Sequence, residues 1–200
     1  MIQQKEKDLV LELIPHFYRQ GWMRFGSGNF CLRNCDQVVC AKDRIQRDML
    51  QEGDLAQFSL SDSSKNTDVV WSKVFAYILE KRNAVACILS TSLAALGASL
   101  YNGKDFHTQS KEMIKGIPKG QPSNGYLCCF DSLKVPIIHN DTLEGIFESI
   151  KETLEEYPET NAILIRGYGA ISWGSTWEKS KTQMECYDYL FELDYKIKNL

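Results

Sequence analysis

The sequence predicts a single α/β domain, residues 1–200, built on a mixed sheet. Short apolar runs of strand length alternate with longer stretches of helical period, but without the strict strand–helix rhythm of an all-parallel sheet. No internal repeat, low-complexity tract or linker divides the 200 residues. The composition, 44% apolar and 24% charged, is that of an ordinary globular chain large enough to bury a core.

The elements follow in order. Leu9, Val10, Leu13, Ile14, Phe17 and Tyr18 recur on one helical face, which predicts a helix over 5–20. Pro15 lies inside it and should kink it or mark a start. GWMRFGSGN then breaks the helix, and FCLR and QVVC predict a hairpin turning around Asn34-Cys35. DLAQFSL is a further strand, and the polar run 61–68, SDSSKNTD, is expected to be a mobile loop. A helix over 69–82 leads into AVACIL, a central strand. A small-residue helix follows over 92–101, stopped by Asn102-Gly103.

EMIKGIPKG and QPSNGY punctuate an irregular stretch before the strand KVPII. Asp141 with Glu144 has the spacing of a capping box for a helix running through Tyr157. AILIRGYGAISWG predicts two short strands around a glycine turn, and the remainder a long C-terminal helix capped by Ser175 or Thr176.

The net charge of −3 argues against nucleic acid as the main partner, whose usual footprint is a basic face. No apolar run is long enough to span a bilayer, and charges interrupt the N-terminal apolar stretch as they would not in a signal peptide. The seven cysteines, at 31, 35, 40, 87, 128, 129 and 186, are odd in number and sit mostly in apolar surroundings. Reduced thiols of a cytoplasmic protein account for them better than disulfides or a zinc cluster.

One join carries the functional question. CILSTSLAAL runs from a buried strand into a helix, a common site for reactive groups, yet it offers only the hydroxyls of Ser90, Thr91 and Ser92. HFYRQGW, EMIKGI, VPII, EYPET and AILIRGYGAISWGSTWEKSKTQMECYDYLFEL resemble the methylthioribulose-1-phosphate dehydratase branch of the class II aldolase/adducin family, nearly end to end from residue 9 to 196. The resemblance implies a class II aldolase/adducin-like three-layer α/β/α sandwich with a mostly antiparallel central sheet. It also implies a zinc lyase of methionine salvage that removes water from a phosphorylated keto sugar, assembled as a fourfold tetramer with active sites at subunit interfaces.

In the family a His-Thr-His segment and a further histidine hold the metal. In this sequence those columns read Ser90, Ser92 and Tyr168. Hydroxyls are poor ligands for zinc near neutral pH, and His16, His107 and His139 align with none of the ligand columns. The expectation is therefore no metal and no cofactor. The phosphate-binding loop is degenerate at Arg24-Phe25-Gly26-Ser27-Gly28, although Gly26, Ser27 and Gly28 could still offer amides. Phe25 is the residue expected to fill the space of an absent phosphate. The second phosphate turn, Pro-Ser-Gly in the family, reads Lys42-Asp43-Arg44, in which Asp43 would repel a phosphate and Arg44 attract one. A cysteine near substrate is replaced by Ser72. Glu112 keeps the column of the catalytic acid/base.

From the lost ligands the sequence reading expects a pseudoenzyme, not an enzyme. It would be a cytoplasmic protein-binding scaffold, a homo-oligomer, or a subunit mixed with an active paralogue. The alternative is an active lyase using Glu112 with atypical metal ligands or none.

Overall fold

Each strand lies where a short apolar run is bounded by turn residues. The computed structural model describes residues 1–24, 26–120 and 125–198. The chain forms two compact units, one of Met1–Thr91 with Trp173–Ser180, the other of Ser92–Ser172 with Lys181–Leu200. Among the described residues no helix is long and apolar enough to cross a membrane.

The first unit opens with α1, Gln4–Arg19, which buries Val10, Leu13, Ile14 and Phe17 as its periodicity requires. The Glu6 carboxylate accepts the Gln3 N–H at 2.8 Å and so satisfies one orphan donor of the first turn. The helix runs through Pro15 without ending there. The packing of Val10, Ile14 and Phe17, all fully buried, outweighs the one backbone donor that proline lacks. Phe17 stacks at 5.2 Å on Trp22 and edge-on at 5.6 Å on Phe30.

Phe30 belongs to β1, Asn29–Asn34, which pairs antiparallel with β2, Gln37–Ala41. The hairpin turns on Cys35 and Asp36, one residue later than expected, because Asn34 is the last paired residue and Cys35 takes φ 55°. β3, Leu55–Ser59, adds to β2, and β4, Ala86–Ser90, adds to the other side of β1, both antiparallel. α2 spans Ser72–Lys81. The polar run 61–68 contains a short 3-10 turn, Ser63–Lys65, with Ser63 buried.

The second unit holds α3, Leu93–Ser99, then β5, Asp105–Gln109, and β6, Ser132–Ile138. β6 pairs antiparallel with β5 and parallel with β7, Ala162–Ile165, which turns back antiparallel into β8, Gly169–Gly174. Five of these six strand pairings are antiparallel, as the mostly antiparallel sheet requires. β5 has no counterpart in the sequence reading, although DFHTQ buries alternate residues Phe106 and Thr108. Five residues of alternation are a faint signal.

α4, Leu143–Glu156, is capped by Thr142, whose hydroxyl accepts the Gly145 N–H at 3.1 Å. Asp141, one residue too early, is not the cap. α5, Trp177–Lys198, is capped by Thr176, which accepts the Lys179 N–H at 3.2 Å. Phe106 anchors the core of this unit, with Phe191 edge-on at 4.9 Å and Tyr101 at 5.6 Å.

All seven cysteines are free thiols. Cys31 and Cys87 face each other across β1 and β4, and burial pushes the Cys31 and Cys40 thiols well up. Cys128 and Cys129 lie at a turn, not on a strand. Two outcomes are expected. Phe106→Ala should cost about 3–5 kcal/mol, read as a fall in the denaturant midpoint at unchanged slope. Iodoacetamide on the folded protein should modify Cys35 and Cys128 first, and reach Cys31, Cys40 and Cys87 only after denaturant is added, as peptide mass mapping will tell.

Candidate functional site

The strand end is built from both directions. In the first unit Ser90 closes β4 and is fully buried. Thr91 follows, its N–H donating to the Trp22 carbonyl at 2.7 Å and its hydroxyl to the same oxygen at 3.3 Å. That oxygen sits at the start of the loop after α1, so the strand end and the loop hold one another.

The loop then passes Gly26 and Gly28, both with φ in the left-handed region, at 69° and 78°. A Cβ on Gly28 would stand 2.7 Å from the Leu89 carbonyl oxygen, so only glycine lets the loop lie against β4 here. A Cβ on Gly26 would stand 3.1 Å from the Ile45 carbonyl oxygen. The two stretches read as phosphate elements, 26–28 and 42–44, are therefore neighbours, packed backbone against backbone. Within the first, the Ser27 N–H is committed to the Arg24 carbonyl at 2.9 Å, which corrects the reading of it as an amide for phosphate. Phe25 lies outside the described residues.

In the second turn Arg44 is exposed and holds φ 61°, the conformation that glycine would take in this column. Asp43 does not face an anion. Its carboxylate accepts the Val70 N–H at 2.5 Å, and its own N–H donates to the Asp68 carbonyl at 2.9 Å. Ser72 is buried and donates its hydroxyl to the Ser63 carbonyl at 2.8 Å, pinning the 61–68 segment. Sequence reasoning missed Arg47, whose side chain is buried to 1% exposure although it is charged. Its Nε donates to the Gly28 carbonyl at 3.2 Å and its Nη1 to the Lys42 carbonyl at 2.7 Å.

In the second unit Ser92 is the N-cap of α3. Its hydroxyl accepts the Ala95 N–H at 3.0 Å and donates to the Asp188 carboxylate on α5. Tyr168 is half-buried in the turn between β7 and β8, where Gly167 takes φ 70°. The Ser99 hydroxyl accepts the Gly167 N–H at 3.0 Å, and the Arg166 guanidinium donates to the carbonyls of Tyr101 at 3.0 Å and Gly103 at 3.1 Å. The turn carrying Tyr168 is thereby tied to the end of α3.

Glu112 begins a short 3-10 turn, Glu112–Gly116. Its side chain is 74% exposed and accepts a hydrogen bond from Lys115 Nζ at 2.5 Å. The hydrogen bond to Glu112, then its charge, raises the Lys115 ammonium above its ordinary pKa. Cys128 and Cys129 lie within electrostatic reach of this ion pair. A cavity of about 440 Å³ in the same unit is lined by Lys119, Lys134, Tyr157, Asn161 and Tyr187 among others, and by none of Ser92, Glu112 or Tyr168.

The donor set does not suit zinc. The three family ligand columns supply hydroxyls, that of Ser92 already committed to an N–H and a carboxylate. Among the described residues no group of three His, Cys, Asp or Glu side chains could hold a metal ion.

A profile of the Class II Aldolase and Adducin N-terminal domain family matches residues 8–195. A methylthioribulose-1-phosphate dehydratase-like protein of Schizosaccharomyces pombe is 63% identical over the full length of both chains. The methylthioribulose-1-phosphate dehydratase of Osmerus mordax is 38% identical over 95% of this chain and 83% of its own. Among solved structures, the L-fuculose-1-phosphate aldolase of Thermus thermophilus superposes with TM-score 0.74 over 98% of this chain and 97% of its own, at 18% identity, and shows the same α/β fold.

These relatives overturn the expectation of a pseudoenzyme. They are named for an enzyme along nearly the whole chain, and nothing in either unit shows a loss of activity. The carboxylate of Glu112 stands exposed whatever occupies the three hydroxyl columns.

Ser92→Ala is expected to lower stability by about 1–3 kcal/mol, since it strips α3 of its cap and takes a donor from the Asp188 carboxylate. Chemical denaturation measures this, and Ser92→Thr should restore most of the loss.

Proposed function

The chain belongs to the class II aldolase and adducin family, and we propose that it is a lyase of the methylthioribulose-1-phosphate dehydratase type, with Glu112 as its acid/base. The observation that carries the reading is the exposed Glu112 carboxylate held 2.5 Å from the Lys115 ammonium, in a chain alike from end to end to proteins named for this dehydration.

The chemistry asks for a base, an acid and a place for negative charge. Glu112 takes the proton from the carbon next to the ketone, and the electron pair left behind moves toward the carbonyl oxygen. The hydroxyl on the following carbon then departs with its bonding pair, and the proton now on Glu112 completes it as water. The resulting enol becomes a ketone by proton transfer. Lys115 is the cation that this chain places beside the base, where it stabilises negative charge as it develops.

No step here runs through a metal, because the hydroxyl columns are a poor donor set. The same reading takes the protein as cytoplasmic, which suits seven free thiols. It also takes it as a homo-oligomer, which would cover the exposed Leu93 and Leu100 of α3 and Tyr189 and Tyr195 of α5.

The protein stripped with a chelator is expected to dehydrate methylthioribulose 1-phosphate above the buffer rate, and Glu112→Gln to lower kcat by about 10²–10⁴. No turnover by wild type under any metal condition would overturn the proposal. Turnover that appears only with added zinc would overturn its metal-independent form.

A further inference from the structure

A guanidinium at 1% exposure is an expensive thing to bury, and its surroundings say what it holds. Arg47 follows the turn 42–44 and is flanked by Gln46 and Asp48, both exposed. It points inward, and two of its hydrogen bonds go to backbone carbonyls of two different loops, Gly28 at 3.2 Å through Nε and Lys42 at 2.7 Å through Nη1. A planar fork cannot rotate to satisfy one acceptor without releasing the other, so it fixes the spacing between them.

The two loops are those in which the family resemblance implies phosphate binding. They also touch directly, Gly26 lying against the Ile45 carbonyl. Outward from this contact come the half-buried Gly26 and Ser27 and the exposed Arg44 guanidinium. Arg44 brings a cation, Ser27 a hydroxyl and Gly26 an amide, donors of the kind a phosphate monoester takes. Asp43, the one carboxylate of the second turn, is directed to Val70.

We propose that Arg47 is a positioning residue of this site, locking the turns 26–28 and 42–44 into one cradle for the phosphate monoester of a phosphorylated ketose. The proposal rests on the reading of the chain as a phosphoketose lyase, and it makes phosphate affinity depend on a side chain that does not touch the ligand.

Binding, not turnover, tests it. The full-length protein is titrated with inorganic phosphate, with methylthioribulose 1-phosphate at a low temperature that suppresses reaction, and with unphosphorylated methylthioribulose. Calorimetry gives the affinity, and amide chemical shifts of Gly26 and Ser27 mark the place. Wild type is expected to bind both phosphate ligands and to shift those amides. Arg47→Met should weaken both by about tenfold or more, the worth of lost charge-assisted hydrogen bonds. Its affinity for the unphosphorylated sugar should stay within about twofold, whereas general loosening would weaken all three ligands alike. Arg47→Lys, which keeps the charge and loses the fork, should fall between, and it decides the matter if Arg47→Met does not melt cooperatively.

Variants that bind phosphate as wild type does would overturn the role of Arg47 and leave the lyase reading standing. A wild-type protein that binds neither phosphate ligand would overturn the cradle and, with it, the phosphorylated substrate. Equal losses for phosphorylated and unphosphorylated sugar would reduce Arg47 to a structural role and overturn the proposal.

Discussion

The bare backbone of Gly28 is the constraint on which the first unit depends. With φ at 78° and room for no Cβ, it brings the loop after α1 to within contact of the Leu89 carbonyl on β4. Any side chain there would push the loop outward. The Thr91 bonds to Trp22, the approach of Gly26 to Ile45 and the Arg47 bond to the Gly28 carbonyl all presuppose that closeness. A backbone conformation that costs an ordinary residue about 1 kcal/mol or more thereby sets the geometry of a strand end, a loop and a buried charge together.

The second unit handles the same strand-to-helix join differently. Where the family carries an imidazole, Ser92 puts a short hydroxyl that can serve the α3 N-terminus and the Asp188 carboxylate at once. Histidine at that position would offer a ring nitrogen at a greater distance from the backbone and is a weaker cap. The Ser92 hydroxyl thus secures a helix seven residues long, too short to persist on its own. Tyr168 stands on a turn that Ser99 and Arg166 anchor to the far end of that helix, so α3 organises both of the altered positions in this unit.

Much of this was legible in the residues. Apolar periodicity marked α1, motif spacing marked α4, and apolar runs between turn residues marked β1, β2, β4, β7 and β8. β5 was not legible, because five residues of weak alternation carry less signal than its pairing with β6 supplies. The α4 cap fell to Thr142 because a cap is chosen by backbone geometry at a single residue, which the motif spacing leaves open. The columns at 90, 92, 112 and 168 were found by resemblance, but their partners were not. Nothing local announces that Asp43 turns to Val70, that Ser72 serves Ser63, or that Arg47 is buried, since each depends on a segment distant in sequence.

That separation explains why absent ligands were a poor guide to absent chemistry. An exposed ion pair such as Glu112 with Lys115 adds little to the fold, because water screens the attraction and two long side chains must be held still to make it. A hydroxyl at a strand-to-helix join can serve structure alone, as Ser92 does by capping a helix. A residue recruited into the fold says little about reactivity in either direction, and neither does an exposed ion pair by itself, since Lys65 with Asp62 and Lys151 with Glu148 pair at the same spacing. The lyase reading accordingly rests on the end-to-end likeness to proteins named for the dehydration and on the exposed carboxylate of Glu112, not on the hydroxyls of Ser90, Ser92 and Tyr168.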